Sequence, residues 1–256
     1  MSALRAKCPD CRTLTAVAVD GGYQCHSCGR EFAAGLVRVP RAWGTGGEAM
    51  ADAAHLPLPY PDTGFVERAT LAEQTPALAE HLPVRPIVVG GCCCSHVGAV
   101  HGLGARSSDP LAVVWLDAHG DLNTPESSPS GNEWGMPLRM LLDAGVVAPV
   151  DVALIGARNL DPPESEYLAA TGIDDSLERA LEGVERAYVA LDLDVLDPSA
   201  AAMFMPEPAG PAVEELEAIL RGVARRTTVA GIGVTGMLRR PENEPVVTRL
   251  LTAAGF

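Results

Sequence analysis

The 256-residue chain is poor in positive charge: 19 Lys and Arg stand against 33 Asp and Glu, a formal net charge of -14. A field of that sign repels phosphate backbones and anionic lipid surfaces, which argues against a nucleic-acid or peripheral-membrane role. Long apolar runs are missing as well. No stretch of about 20 apolar residues is available to span a bilayer. The start, MSALRAKCPDC, holds no apolar segment of the secretory kind. Cysteine is absent outside two tight groups: Cys8, Cys11, Cys25 and Cys28, then Cys92, Cys93 and Cys94. In a chain without a secretory signal, thiols clustered this way read as metal ligands or free thiols rather than disulfides, and the expected compartment is the cytoplasm. With 47% hydrophobic residues, the length suits one large core with a small appendage and falls short of two full domains.

The first cysteine group is two CxxC pairs, Cys8-Pro9-Asp10-Cys11 and Cys25-His26-Ser27-Cys28. Each tight turn can aim two thiolates at one tetrahedral ion, and residues 13–23, with Gly21-Gly22 at a turn, suit a hairpin between the pairs. The pattern predicts a zinc ribbon over residues 1–39. Its closed four-cysteine site would be structural, because so short a segment has too little core to fold without the ion. The ribbon carries few basic residues (Arg5, Lys7, Arg12, Arg30), so a protein contact or simple bracing is expected of it. Residues 40–83 open on the Gly- and Pro-rich stretch PRAWGTGGEAMADAAHLPLPYPD and read as a linker or irregular entry segment.

From residue 84 to 256 short apolar runs recur at 86–90, 112–116, 152–155, 187–191 and 229–234, with helical spacing at 138–144, 164–170, 177–181 and 213–223, and a closing helix over 244–254. Continuous apolar strands alternating with helices predict an α/β fold, a mostly parallel sheet covered on both faces. Ligands in such folds gather beyond the carboxyl ends of the strands. The polar motifs sit there: Asp117-Ala118-His119-Gly120-Asp121 after one run, and Asp192-Leu193-Asp194 after another. Alternation at a strand end aims Asp117, His119 and Asp121 the same way, where Asp192 and Asp194 can meet them. Four carboxylates and an imidazole repel unless cations neutralise them, and that donor set suits Mn(II), with Zn, Ni or Fe open.

DAHGDLNTPESSPSGN (117–132), ALDLDVLDPS (190–199) and, more loosely, VVGGCCCSHVGAV (88–100) resemble signature segments of the arginase and agmatinase (ureohydrolase) family. The resemblance covers residues 84–238. It implies a three-layer α/β/α arginase-like fold and a pair of metal ions. Asp117 and Asp192 would bridge both ions, His119 and Asp194 would complete one, and Asp121 with Cys93 the other. It implies hydrolysis of a linear C–N bond (guanidino, ureido or amidine) in an arginine-like amino acid by hydroxide that the metals activate, with Asp121 and His119 in the catalytic set. Asn123, Ser128, Ser130 and Asn132 match the loop that holds an α-carboxylate. Asp161 and Glu164, in GARNLDPPE (156–164), match the segment that holds an α-amino group. The family implies a homo-oligomer.

Three positions depart from the family pattern. Its metal-ligand histidine falls on Cys93, where a thiolate favours Zn, Fe or Ni over Mn and where a single ion, or substitution by Cys92 or His96, stays open. Its proton-shuttling histidine falls on Trp134, leaving that step to Glu133, His96 or water. Its guanidinium-holding glutamate falls on Thr235. Two other readings stand beside the hydrolase: a non-catalytic regulatory or binding protein, and a single-metal deacylase-like hydrolase.

Overall fold

A computed structural model describes residues 4–256. Four short strands come first: β1 (Arg5–Ala6), β2 (Ala16–Val19), β3 (Gly22–Cys25) and β4 (Glu31–Phe32), paired antiparallel in the order β1-β2-β3-β4. β2 and β3 form the predicted hairpin, turning at Asp20 and Gly21, both at positive φ. The rest builds around a second sheet of β5 (Gly35–Val39), β6 (Asp62–Phe65), β7 (Pro86–Gly90), β8 (Leu111–Leu116), β9 (Val152–Ile155), β10 (Arg186–Asp192) and β11 (Thr228–Thr235). Every pairing in it is parallel, in the order β6-β5-β7-β11-β10-β8-β9.

Side-chain alternation splits the core into two layers. Ile87 and Val89, Val114 and Leu116, and Val189 and Leu191 face Leu216, Leu220, Val247 and Leu251 of α7 (Val213–Arg226) and α8 (Asn243–Ala253). Val88, Val113, Trp115 and Tyr188 face the opposite helices α2 (Leu71–His81), α3 (Cys94–Gly104) and α4 (Pro137–Asp143). The expected three-layer α/β/α sandwich is therefore the fold. Apolar runs with both faces buried, such as β8 (LAVVWL), are what a doubly covered parallel strand requires. Three further helices, α1 (Glu48–Asp52), α5 (Pro162–Thr171) and α6 (Leu177–Ala180), complete the layers. Among the described residues no helix is long and apolar enough to cross a membrane.

Residues 40–83, expected as a linker or irregular entry segment, carry regular elements of the main sheet and its helices. They hold α1, β6 and α2, and β5 begins at Gly35, inside the stretch assigned to the ribbon. Two features hide these elements. β5 (GLVRV) carries Arg38, whose burial is offset by Asp62 Oδ2 accepting from its Nε at 2.6 Å and by the carbonyls of Ala54 and Leu56 accepting from its Nη1. α2 carries Pro76 in its interior. The ribbon is tied to this sheet edge: Lys7 and Asp62 exchange two backbone hydrogen bonds, at 2.7 and 2.9 Å, and the Val84 amide donates to the Tyr23 hydroxyl at 3.3 Å.

The strand order places the site. β10 and β11 are inserted between β7 and β8, so four adjacent carboxyl ends present Cys93, Thr235, Asp192 and Asp117 in that order.

Candidate active site

Asp117 leaves the end of β8 with Oδ1 accepting the His119 amide at 2.7 Å and Oδ2 accepting Trp115 Nε1 at 3.3 Å. Asp192 ends β10, and its Oδ1 accepts the Asp194 amide at 3.0 Å while Asp194 Oδ1 accepts the Ala118 amide, also at 3.0 Å. These turns cross-link the two strand ends. His119 Nδ1 then lies 3.1 Å from Asp194 Oδ2 and 3.4 Å from Asp117 Oδ1. The Cys93 sulfur lies 3.0 Å from Asp192 Oδ2 and 3.6 Å from Asp117 Oδ2. Two triads result, Cys93–Asp117–Asp192 and Asp117–His119–Asp194, each with ligand atoms within 4.8 Å of one another and with Asp117 common to both. Gly236 follows β11 at φ +66°, and a Cβ there would fall on the Asp192 carboxylate.

Asp121 stands outside both triads. Its φ of +52° is a strained region for a residue with a side chain, and its Oδ2 is buried without a hydrogen-bond partner. His119 Nε2 is likewise buried and unpartnered. Burial, then the Asp194 charge, pushes Asp192 up to about 7, and burial, then the Asp117 charge, pushes Asp194 up to about 6. Asp117 and Asp121 move the same way, again mainly through burial. Burial disfavours the His119 cation, yet hydrogen bonds to Asp117 and Asp194 outweigh it and raise His119 to about 12. Burial and the three neighbouring aspartates push the Cys93 thiol well up. The cluster thus holds protons where cations would otherwise sit. The orphaned Asp121 oxygen, with an oxygen-rich donor set and His119 Nδ1 beside Asp117 and Asp194, fits divalent ions.

The triads open onto a cavity of about 260 Å³. Asn123, Ser128, Ser130 and Asp161 line it, as does Trp134, whose ring meets Phe204 edge-on at 6.2 Å. Asn123 Nδ2 donates to Asp161 Oδ2 at 2.9 Å. Glu164 lines the cavity but is engaged elsewhere, accepting the amides of Leu122 and Asp161, each at 2.9 Å. Asn132 is off the cavity wall and accepts the Thr45 amide at 2.9 Å. Glu133 and His96 are not on the wall either, and Thr235 is buried beneath Cys93, its hydroxyl 3.2 Å from the sulfur. Cys92 does reach the wall.

Two neighbours were not legible in the motifs. Glu207 Oε1 lies 3.6 Å from His119 Nε2 and accepts from Asn159 Nδ2 at 2.8 Å. Arg158 pins the loop carrying Glu207 to the metal-site turn, donating to the Asp194, Glu207 and Pro208 carbonyls at 2.8–2.9 Å. The only sequence signal was the pair Arg158-Asn159 within GARNLDPPE.

In the ribbon, Cys8 and Cys28 sulfurs lie 3.9 Å apart, Cys25 and Cys11 4.0 Å apart, and all four group within 4.8 Å. Tetrahedral Zn–S bonds of about 2.3 Å put sulfurs ~3.8 Å apart. Each knuckle closes alike: Arg12 N donates to Cys8 O at 2.9 Å and Gly29 N to Cys25 O at 2.8 Å, with Arg12 and Gly29 both at positive φ. The Thr15 hydroxyl and the amides of Cys28 and Ser27 lower Cys25 to about 6, as a ligand thiolate requires.

A parallel three-layer sandwich with Asp-x-His-x-Asp and Asp-x-Asp motifs at neighbouring strand ends is an arginase-fold protein. The chain belongs to the arginase family, whose model matches residues 45–238. The arginase of Staphylococcus aureus (strain COL) is 36% identical over 141 residues, 44% of this chain and 46% of that protein. The arginase of Bacillus subtilis (strain 168) is 37% identical over 145 residues, 45% and 48% of the two chains. The chain therefore spans about half the length of the curated relatives it matches. Among solved structures, the Entamoeba histolytica arginase in complex with L-ornithine has a TM-score of 0.74 at 17% identity, covering 87% of this chain and 98% of that one. The formimidoylglutamase from Bacillus subtilis has a TM-score of 0.68 at 17% identity, covering 86% of each. Likeness at that identity establishes the shared fold.

Proposed function

We propose that the chain is a metal-dependent hydrolase of a linear C–N bond in a guanidino, ureido or amidine group carried by an arginine-like amino acid. One observation carries this assignment: Asp117 belongs to both ligand triads, as a carboxylate shared by two ions would. His119 and Asp194 would complete one ion's set, Cys93 and Asp192 the other's, and Asp121 Oδ2 is the free buried oxygen available to add to them. Mn(II) suits the oxygen-rich side; the Cys93 sulfur draws the choice toward Zn, Fe or Ni. Bound cations would supply charge neutralisation and Lewis-acid activation of a water.

The chain's own groups do the rest. Asp121 is the carboxylate placed to accept a proton from the attacking water, since Trp134 exchanges none and Glu133 is off the wall. Glu207 faces His119 Nε2 at 3.6 Å, and a shift into hydrogen-bond range on metal binding would hold the tautomer that leaves Nδ1 toward Asp117 and Asp194. Ser128 and Ser130 would donate to the substrate α-carboxylate and Asp161 would accept from its ammonium. Thr235, where the family's guanidinium-holding glutamate would stand, is buried off the wall, which favours a ureido, amidine or substituted guanidino group over free guanidinium. Relatives support the class: arginases match by sequence, and formimidoylglutamase shares the fold. The four-cysteine cluster of the ribbon would take one structural zinc.

A single-ion form is the second reading, favoured by the place of Asp121 outside both triads. The hydrolase is tested by urea and ammonia release from a panel of guanidino, ureido and amidino acids on metal-loaded protein. Turnover of at least one, lost in Asp194→Ala, is expected. No turnover of any, with the ions bound, would leave a binding protein in its place.

A further inference from the structure

Behind the candidate ligands, away from the cavity, lies a buried polar chain that the proposed reaction does not use. Tyr188, His96 and Thr235 are all fully buried. The Tyr188 hydroxyl lies 2.9 Å from His96 Nδ1, and His96 Nε2 lies 3.2 Å from Thr235 Oγ1. Thr235 Oγ1 is in turn 3.2 Å from Asp192 Oδ2 and 3.2 Å from the Cys93 sulfur. The space for this chain is built into β11: a Cβ on Gly233 would collide with the Tyr188 hydroxyl and with the His96 ring. The same ring meets Trp115 edge-on at 5.1 Å, and Trp115 donates to Asp117.

A neutral imidazole has one N–H and one acceptor nitrogen, so the chain has two possible polarities. With the proton on Nδ1, His96 donates to Tyr188, and Nε2 stays unfilled unless Thr235 spends its only hydrogen there. Among the described residues the Tyr188 O–H then has no acceptor, and if Thr235 fills Nε2 neither Asp192 nor Cys93 receives a donor from it. With the proton on Nε2, Tyr188 donates to Nδ1 and His96 donates to Thr235 Oγ1. The Thr235 hydrogen is then free for Asp192 Oδ2 or the Cys93 sulfur, each at 3.2 Å against 3.4 Å for the Leu191 carbonyl, and every buried donor has a partner. Burial therefore selects the second polarity, because an unmade hydrogen bond in the interior costs the whole desolvation of that group.

We propose that Tyr188, His96 and Thr235 form a one-directional hydrogen-bond relay that positions Asp192 and Cys93 as metal ligands, with Thr235 the positioning residue that touches both. The relay rests on Asp192 and Cys93 holding a cation. It gives the Cys93 and Thr235 departures from the family pattern one joint explanation. A short thiol at 93 leaves the His96–Thr235 pair room beneath it, and the relay supplies that ligand's outer-shell partner. Outer-shell partners of this kind are worth ~10–100-fold in metal affinity.

Co(II) is the probe, used on the full chain with the ribbon preloaded with zinc. The thiolate-to-cobalt absorption lost in Cys93→Ser defines the band due to Cys93. Thr235→Val keeps the shape and removes the hydroxyl; it should weaken Co(II) binding ~10–100-fold and shift that band. Thr235→Ser should restore both, and Tyr188→Phe should produce a smaller change of the same sign. Melting of the metal-free variants separates a folding defect from a ligand effect, and Thr235→Ser keeps the test open should the valine variant fail to fold. A Cys93 band present in the parent and unaltered, at unaltered affinity, in Thr235→Val overturns the relay alone. No Cys93 band in the parent overturns Cys93 ligation, and the relay with it.

Discussion

The Cys93 sulfur lies 3.0 Å from Asp192 Oδ2 although their strands are not neighbours; β11 runs between β7 and β10. The two chains meet by closing over Thr235, the last residue of β11. A polar cluster at that point is a product of topology, since only the insertion of β10 and β11 between β7 and β8 brings the four strand ends together. Its cost is the repulsion of buried carboxylates, which something positive has to offset.

That repulsion gives the metal-free protein a pH dependence. Asp192 at about 7 and Asp194 at about 6 are raised above the ordinary carboxylate value of 3.8, and His119 at about 12 is raised above 6.5. In each case the folded state binds more protons than the unfolded one, so stability is present at low pH and declines as pH rises through these values. The apo protein should lose melting temperature from about pH 4 to pH 7 through the two aspartates, and on from about pH 6.5 toward pH 12 through His119. Divalent metal should reverse the loss and release protons on binding, a change that calorimetry in two buffers measures. A flat apo profile would contradict it.

Glu207 should matter despite its distance from the signature motifs. It faces His119 Nε2 at 3.6 Å and is held by Asn159. Glu207→Gln should weaken metal binding ~10-fold, and Asn159→Ala by less, with the melting temperature of the apo protein unchanged. Equilibrium dialysis reads the affinity.

The ribbon should brace the sheet edge through the two Lys7–Asp62 hydrogen bonds. Chelation of its ion, or Cys28→Ser, should speed hydrogen exchange at the Lys7 and Asp62 amides while leaving β8 protected. Equal loosening of β8 would mean that the ribbon holds the whole core.

Much of this was legible in the sequence because each signal was local. The runs at 86–90, 112–116, 152–155, 187–191 and 229–234 all became strands, since continuous apolar residues have one use in a doubly covered sheet. Asp117, His119, Asp192 and Asp194 come together through the turns that cross-link the ends of β8 and β10 rather than by strand alternation, and Asp121, at positive φ, stands outside both triads. β5 escaped because Arg38 interrupts it, and the charge only makes sense once Asp62, 24 residues on, is beside it. Thr235, expected to face substrate, instead faces Cys93 and His96. Glu207 had no motif at all. Contacts across distant segments, rather than residue types, decided these cases.

The central claim is a pair of ions sharing Asp117, and elemental metal analysis of the purified full chain tests it most directly. Three ions per chain are expected, one in the ribbon and two at the strand ends, falling to one in Asp117→Ala with the ribbon's zinc retained. A single ion per chain in the unaltered protein, unchanged by that substitution, would contradict it.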